Sequence, residues 1–478
     1  MFYLQDDWKV SRSLTLNLGL RYEIWSRMVE EQNRLVAFDL VTQKFVFAGN
    51  QVPTLPGTPP GAVTAESLGL PRNMVMGTDR NDFAPRLGFA WRVSGSNRTV
   101  LRGGYGMFYN WVTQNVTQAM AFGPPWVPSL VISSNPDVPA ITFERPYQTT
   151  VVPSTSGRVV TTRTNRTPYL MQYSLSLGHA FTSRIGGEIA YVGNAGRKAY
   201  LDYNFNQPFP GLGSVSSRLP YPSFGGLGGN PSWGTNNYNA LQVKVKKELG
   251  PDGLLVSAAY TWAKALGTSV SGIKFNGRVP FRDTRNWKAD AGPTPFDIRQ
   301  ILALSWVYEI PVGRGKPVAG NIGGLAQYML GGWKLGGIAT LQTGSHVTPT
   351  DSFNNSNAGG SRPDLLRNPN RSSYGSKQEM LDRFFDTSAF ARAQLYTFGN
   401  AGTGTIEGPA IQVVDFSLYK DFQIQERRRI QFRFEVFNAL NHANFGNPGT
   451  AFGTSSFGVI RTTSTPAREV QLGLRIDF

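Results

Sequence analysis

Three histidines, His179, His346 and His442, are the first residues to weigh for chemistry. They lie far apart and form no HExxH or paired-His spacing, so loop or interface roles outweigh metal ligation. Asp351, Asn354, Asn355 and Asn357 gather side-chain oxygens that a calcium ion could use. Asn-rich stretches more often serve as turns. Gly313-Arg314-Gly315-Lys316 has the look of a phosphate loop. It lacks GxxxxGK[ST] spacing, and the sequence predicts no helix after it. There is no GxSxG elbow, and no spacing argues for a pair of catalytic carboxylates. The chain has no cysteine, which excludes disulfides, thiolate zinc sites and cysteine nucleophiles. We therefore assign no catalytic residue, no metal ligand and no cofactor, and expect no enzyme.

A different set of polar residues is more informative, because each sits in a two-residue repeat. Arg21, Glu23, Gln172, Lys244, Lys246, Glu309, Gln431, Arg433, Glu435 and Arg475 all alternate with apolar neighbours. The chain end shows the pattern most plainly. Val470, Leu472, Leu474, Ile476 and Phe478 share one parity, and Gln471, Gly473, Arg475 and Asp477 share the other. A period of two means a strand with one face in an apolar medium and one in a wet medium. Leu14 to Ile24, Tyr169 to Phe181, Leu241 to Val245, Leu254 to Trp262 and Ile430 to Val436 repeat it. The ten polar residues then face away from the apolar side. They form either a solvated wall or a polar path.

Composition fits strands that cross a bilayer. Hydrophobic residues make up 40%, yet no apolar run is long enough for a transmembrane helix. Aromatic residues reach 12%, a level that suits interfacial girdles. Trp8, Tyr22, Trp25, Trp262, Trp306, Tyr308, Trp333, Phe432, Phe434 and Phe478 are the expected girdle or lipid-facing residues. The formal charge is +16, but the cations are scattered, with Arg427-Arg428-Arg429 the one run. That scatter argues against nucleic acid as a partner. No signal peptide opens the chain.

The elements that must position these residues number about thirteen strands. Tight and long connections alternate between them, with one of intermediate length at 311–331. Bacterial outer-membrane barrels place short turns at the periplasm and long loops outside. We thus predict an all-β fold, an antiparallel transmembrane outer-membrane β-barrel. The final strand should descend to the periplasm, so the strand at Phe2 also descends and the strand number is odd. Single-chain barrels usually have an even number. The sequence is therefore expected to be an N-terminally truncated part of a larger barrel in the cell outer membrane of a Gram-negative-type bacterium, one β-barrel domain over residues 1–478.

Several stretches resemble a known family. FYLQDDWKVSRSLTLNLGLRYE (2–23), RLGFAWRV (86–93), LRGGYGMFYN (101–110), FDIRQILALSWVYEIPVGRGK (296–316) and GGWKLGGIATLQTG (331–344) are similar to TonB-dependent receptors. SRPDLL (361–366), VVDFSLYKDFQIQERRRIQFRFEVFNALNHANFGNP (413–448) and FGVI (457–460) extend the match. The likeness is greatest to the Oar-like group, whose members carry a carboxypeptidase-regulatory-like domain at the amino end. The resemblance implies 22 strands, an amino-terminal plug, and energy delivered by the TonB–ExbB–ExbD complex. This sequence contains neither plug nor TonB box, so the TonB contact would lie in the missing amino-terminal part. It also implies that Phe478 is a signal read by the barrel-assembly machinery. The surroundings would be outer-membrane lipid and lipopolysaccharide. The substrate is not specified. The alternative to transport is a surface adhesion or structural barrel that uses loops 111–168, 193–237 and 345–410. A soluble β-sandwich that binds or hydrolyses carbohydrate is a third reading.

Overall fold

The computed structural model describes residues 1–25, 30–72, 78–93, 97–110, 118–127, 156–159, 163, 165–268, 281–425 and 428–477, with only the backbone of 423–425 and 428. Thirteen strands form one antiparallel sheet in strict sequence order. They are β1 (Phe2–Lys9), β2 (Leu14–Glu23), β3 (Asp82–Arg92), β4 (Thr99–Tyr109), β5 (Tyr169–Ala180), β6 (Ile185–Ala199) and β7 (Gly234–Lys247). The series continues with β8 (Leu254–Gly267), β9 (Gln300–Glu309), β10 (Trp333–Gln342), β11 (Ile411–Gln425), β12 (Arg428–Phe437) and β13 (Glu469–Asp477). Each strand hydrogen-bonds to the one before and the one after it, so the inner backbone groups are satisfied within the sheet. Among the described residues, β1 and β13 are the two edges.

The connections segregate by end. Residues 10–13, 93–98, 181–184, 248–253, 310–332 and 426–427 join strands at one end. Residues 24–81, 110–168, 200–233, 268–299, 343–410 and 438–468 join them at the other. Local chemistry makes the tight turns. The Ser11 hydroxyl accepts the Leu14 amide at 3.1 Å, and the Thr182 hydroxyl accepts the Ile185 amide at 3.0 Å. Gly253 closes the turn after Pro251-Asp252 at φ +70°, where a Cβ would lie 2.7 Å from the Glu309 carbonyl oxygen. Only glycine fits there without strain.

Antiparallel partners point to the same face, so the register tells which side chains share a side. Starting from Arg475, the pairs Arg475–Gln431, Gln431–Asp421, Tyr419–Lys334 and Lys334–Glu309 lead across β13 to β9 on one face. The pairs Ser257–Ser305, Lys246–Ser257, Lys244–Glu188, Gln172–Asn194 and Gly106–Gln172 carry that face to β4. Arg86–Gly106 and Gly19–Arg86 then bring it to β2, where Arg21 and Glu23 share the parity of Gly19. The opposite face presents Leu18, Leu87, Trp91, Leu175, Ile189, Val245, Trp262, Leu302, Leu341 and the apolar residues of β13. All of these are exposed, Leu472 and Leu474 at 67% each. The polar face is not purely polar, since Ile301, Val307 and Ile338 also fall on it.

The buried apolar cores of this protein lie in the long connections. One cluster packs Leu35, Ala37, Val46 and Ala65 with Met120, and its neighbour packs Phe38, Phe45 and Phe47 with Val159 and Leu227. A third packs Phe385, Phe390, Ala401 and Ile406 against Phe452 and Phe457. A water-soluble sheet would bury its own apolar face. This one leaves that face open.

Two sequence expectations need adjustment. The loop expected at 193–237 is shorter, since β6 runs on to Ala199 and β7 begins at Gly234, with Gly193 to Arg197 keeping full ladders with β5 and β7. The stretch 345–410, expected as a loop, contains a helix at Lys377–Asp382 and the third apolar cluster. A small hairpin in the 24–81 connection pairs Val36–Asp39 with Lys44–Phe47.

If the apolar parity meets lipid, a charge placed on it at mid-depth costs about 2–4 kcal/mol. Leu472→Arg should therefore lower the unfolding free energy of the bilayer-embedded protein by about that amount, while Gln471→Arg on the other face changes it by under about 1 kcal/mol. Urea titration in phospholipid vesicles checks both.

Candidate functional site: the polar face and its loop cap

The ten polar residues singled out by parity share one face, but they form four groups and not one site. The largest lies toward the tight-turn end of β9 to β13. Glu309 Oε1 is 3.3 Å from Lys334 Nζ, and its other oxygen is 3.0 Å from Lys316 Nζ. Lys334 Nζ also sits 3.4 Å from Asp421 Oδ2. Gln431 donates to Asp421 at 2.8 Å and accepts from Arg433 Nε at 2.6 Å. The Arg433 guanidinium lies over the Tyr419 ring, and the Tyr419 hydroxyl donates to Glu435 at 3.3 Å. Asp477 joins Arg475 and Arg429, each at 2.8 Å. Cations and carboxylates thus interleave along this stretch, five to four, so their charges nearly cancel.

The second group is Arg21 and Glu23, paired at 2.5 Å at the long-loop end of β2, where Trp25 donates to Glu23 at 3.0 Å. Trp25 lies two residues beyond the end of β2. The third group surrounds Lys244 and Lys246. They line a hollow of about 360 Å³ with Arg102, Glu188 and the bare backbones of Gly178 and Gly186. Lys246 also pairs with Glu248 at 2.6 Å. Gln172 belongs to the larger hollow, of about 430 Å³, with Arg86, Ser174, Asn194 and Tyr238. Gly104 and Gly106 open that hollow, because they put no side chain on the polar face between Arg86 and Gln172. Parity alone found the charged residues, but not the two hollows, which depend on glycines of neighbouring strands lying side by side. Phe478 lies outside the described residues.

Above the sheet, four long connections are tied into a cap. Arg362 is fully buried and pairs with Asp290 at 3.2 Å, and it donates to the Ala401 carbonyl and the Thr403 hydroxyl. Burial pushes its pKa down to about 10, and Asp290 opposes that shift. Asp290 is also held by Arg282 at 2.7 Å. Gln207 accepts the Thr284 amide and donates to the Arg282 carbonyl, which brings in the 200–233 connection. His346 sits with Nε2 3.2 Å from buried Asp297, and its Nδ1 lies 2.9 Å from the Gly404 carbonyl oxygen. It is a loop tie. Asn354 accepts the Gly359 amide, Asn355 donates to the Ala393 carbonyl, and Asn357 donates to Gly211 and Gly213. These amides hold backbone. Ser345 and Asn447, and the short pairing of Thr350–Asp351 with Ala451–Phe452, join the 438–468 connection to the rest.

Two outcomes test the cap. Removing Arg362 leaves Asp290 with one cation fewer in a buried setting, and breaking a buried pair typically costs about 3–5 kcal/mol. Arg362→Ala should make 343–410 a fast trypsin site while the sheet stays intact on gels run without heating. Asp386 gives a pH signature. The Ser388 hydroxyl, helped by Arg367, holds its carboxyl down to about 2, against an ordinary value of 3.8. A depressed carboxylate stabilises fully above the unfolded pKa, and that contribution is lost as pH falls through the folded one. Pepsin should therefore cut within 384–390 faster at about pH 2 than at about pH 4, beyond its own pH response. Asp386→Asn should abolish the difference.

Comparison with known proteins completes the site. The outer membrane beta barrel domain model matches residues 1–471. No curated protein matches the chain. The outer membrane transporter YddB from Escherichia coli is 10% identical with a TM-score of 0.50, over 100% of this chain and 44% of that one. The ferripyoverdine receptor of Pseudomonas aeruginosa is 11% identical, TM-score 0.46, over 100% of this chain and 38% of that one. The siderophore receptor PiuA from Acinetobacter baumannii is 10% identical, TM-score 0.44, over 100% and 42%. The chain thus spans less than half the length of these solved structures. Thirteen antiparallel strands with an exposed apolar face and a match along nearly the whole sequence lead to one assignment: the chain belongs to the outer membrane β-barrel domain family and is located in the Gram-negative outer membrane.

Proposed function

We propose that this chain is part of the wall of an energised outer-membrane transporter. The observation that carries the reading is the shared face of the ten polar residues, opposite a belt of exposed Leu, Val, Ile and Trp. In this reading the polar face lines a lumen, and Arg21, Glu23, Gln172, Lys244, Lys246, Glu309, Gln431, Arg433, Glu435 and Arg475 bound a hydrated path. The balanced charges of β9 to β13 suit a wall that a plug slides against. The two hollows on β3 to β7 suit transient holding of a polar substrate. Strands outside this chain close the edges at β1 and β13 and bring the total toward 22. A plug in the same lumen couples to TonB–ExbB–ExbD, and Phe478 is read during assembly. The likeness of 2–23, 296–316 and 413–448 to Oar-like TonB-dependent receptors supports this, as does the shared fold with YddB, a transporter by its description. Adhesion without transport is the second reading. It draws on the cap, where buried Arg362 and Asp290 give the outer loops a fixed surface.

Cross-linking in cells tests the proposal. An antibody to 343–410 should recover, from formaldehyde-treated cells, a product well above 52.5 kDa that contains TonB. A 52.5 kDa product without TonB would overturn transport and leave adhesion.

A further inference from the structure

The connection 310–332 breaks the pattern of tight turns, and its content explains why. It carries a short helix, Gly324–Leu330, with the sequence Gly-Leu-Ala-Gln-Tyr-Met-Leu. The helix has its burial reversed. Leu325 is 78% exposed and Met329 65%, and Tyr328 and Leu330 are also exposed. The one polar side chain, Gln327, is turned inward, where its Oε1 accepts the Arg314 amide at 2.6 Å. In water this arrangement would be unfavourable, since four large apolar side chains are hydrated while the amide is half-buried.

The anchoring contacts show which medium the helix meets. Trp333 and Lys420 are register partners, and both lie on the apolar face of the sheet. Trp333 Nε1 donates to the Met329 carbonyl at 2.9 Å. Lys420 Nζ donates to the Gly331 carbonyl and lies 5.0 Å from the centre of the Trp333 ring. Lys420 is itself buried, so its ammonium is spent on the helix-end carbonyl and the Trp333 ring, which fixes the helix to the strands. Trp333 sits where an aromatic girdle belongs. The helix is therefore stapled to the lipid-facing side of β10 and β11, and its exposed residues continue that surface past the strand ends. Arg314, exposed in the adjoining turn, adds a cation at headgroup level.

We propose that Gly324–Leu330 is a membrane-interface anchor, with Leu325, Tyr328, Met329 and Leu330 dipping into the phospholipid of the inner leaflet. Its length, roughly 10 Å, is too short to bind a bilayer alone. Fusion to two strands removes the need for that. The anchor sets the depth of β9 and β10, and it stands whether or not the barrel transports.

Because the chain has no cysteine, single thiols report cleanly. Leu325→Cys and Tyr328→Cys, labelled with an environment-sensitive fluorophore on the full-length protein in phosphatidylethanolamine–phosphatidylglycerol vesicles, give the readout. Val41→Cys, exposed in an outer hairpin, is the control. Brominated phospholipid should reduce emission at 325 and 328 by roughly half or more and leave 41 unchanged, as shallow insertion requires. Quenching at 325 and 328 by aqueous iodide, with no response to brominated lipid, would place the helix in water and overturn the proposal. Resistance to both quenchers would mean that a protein covers it, which overturns the proposal equally.

Discussion

A backbone amide or carbonyl in hydrocarbon has no water to bond with, and each unsatisfied group costs several kcal/mol. Everything else here answers to that constraint. Thirteen strands meet it by pairing in sequence order, each of β2 to β12 with both neighbours. Once the ladders are fixed, the period of two sorts side chains without further instruction. Leu472 and Leu474 go to one side because Arg433 and Gln431 share the other with Gly473 and Arg475. The same constraint accounts for the absence of a core within the sheet, since the bilayer supplies the apolar medium that a second sheet would otherwise provide.

Stability outside the bilayer has to come from conventional sources, and the long connections supply them. Phe38, Phe45 and Phe47 pack with Val159 and Leu227 from two other connections, so loops distant in sequence hold one another. Arg362 and Asp290 do the same electrostatically, at the centre of four connections. A cap built this way holds a fixed shape over whatever lies below it. The tight-turn end is simpler. There Ser11, Thr182 and Gly253 close turns locally, and the longer connection 310–332 carries the helix that lies against lipid.

Much of this was legible in the sequence, for a physical reason. Alternation is a local property, and so is loop length. The apolar parity of β2 and β13 and the tight–long rhythm of connections were therefore enough to give the antiparallel sheet. The face shared by Arg21, Lys244, Glu309 and Arg475 followed too, since parity is preserved across antiparallel pairs. What depends on contacts between distant segments was not legible. Gly193 to Arg197 read as loop, yet they pair on both sides because β5 and β7 extend beside them. Arg362 lay inside a motif noted only for its resemblance, and nothing local announced its burial against Asp290. The hollow between Arg86 and Gln172 needed Gly104 and Gly106 to be set beside them by register. The helix at Gly324–Leu330 was missed because seven residues are too few to show a period.

The central claim is that the two parities of each strand meet two different media. A nitroxide scan from Glu469 to Asp477, one cysteine at a time in lipid bilayers, tests it most directly. Collision with dissolved oxygen should peak at 470, 472, 474 and 476, and collision with a water-soluble nickel chelate should peak at 471, 473, 475 and 477. A flat profile, or the two reagents rising and falling together, would contradict the account.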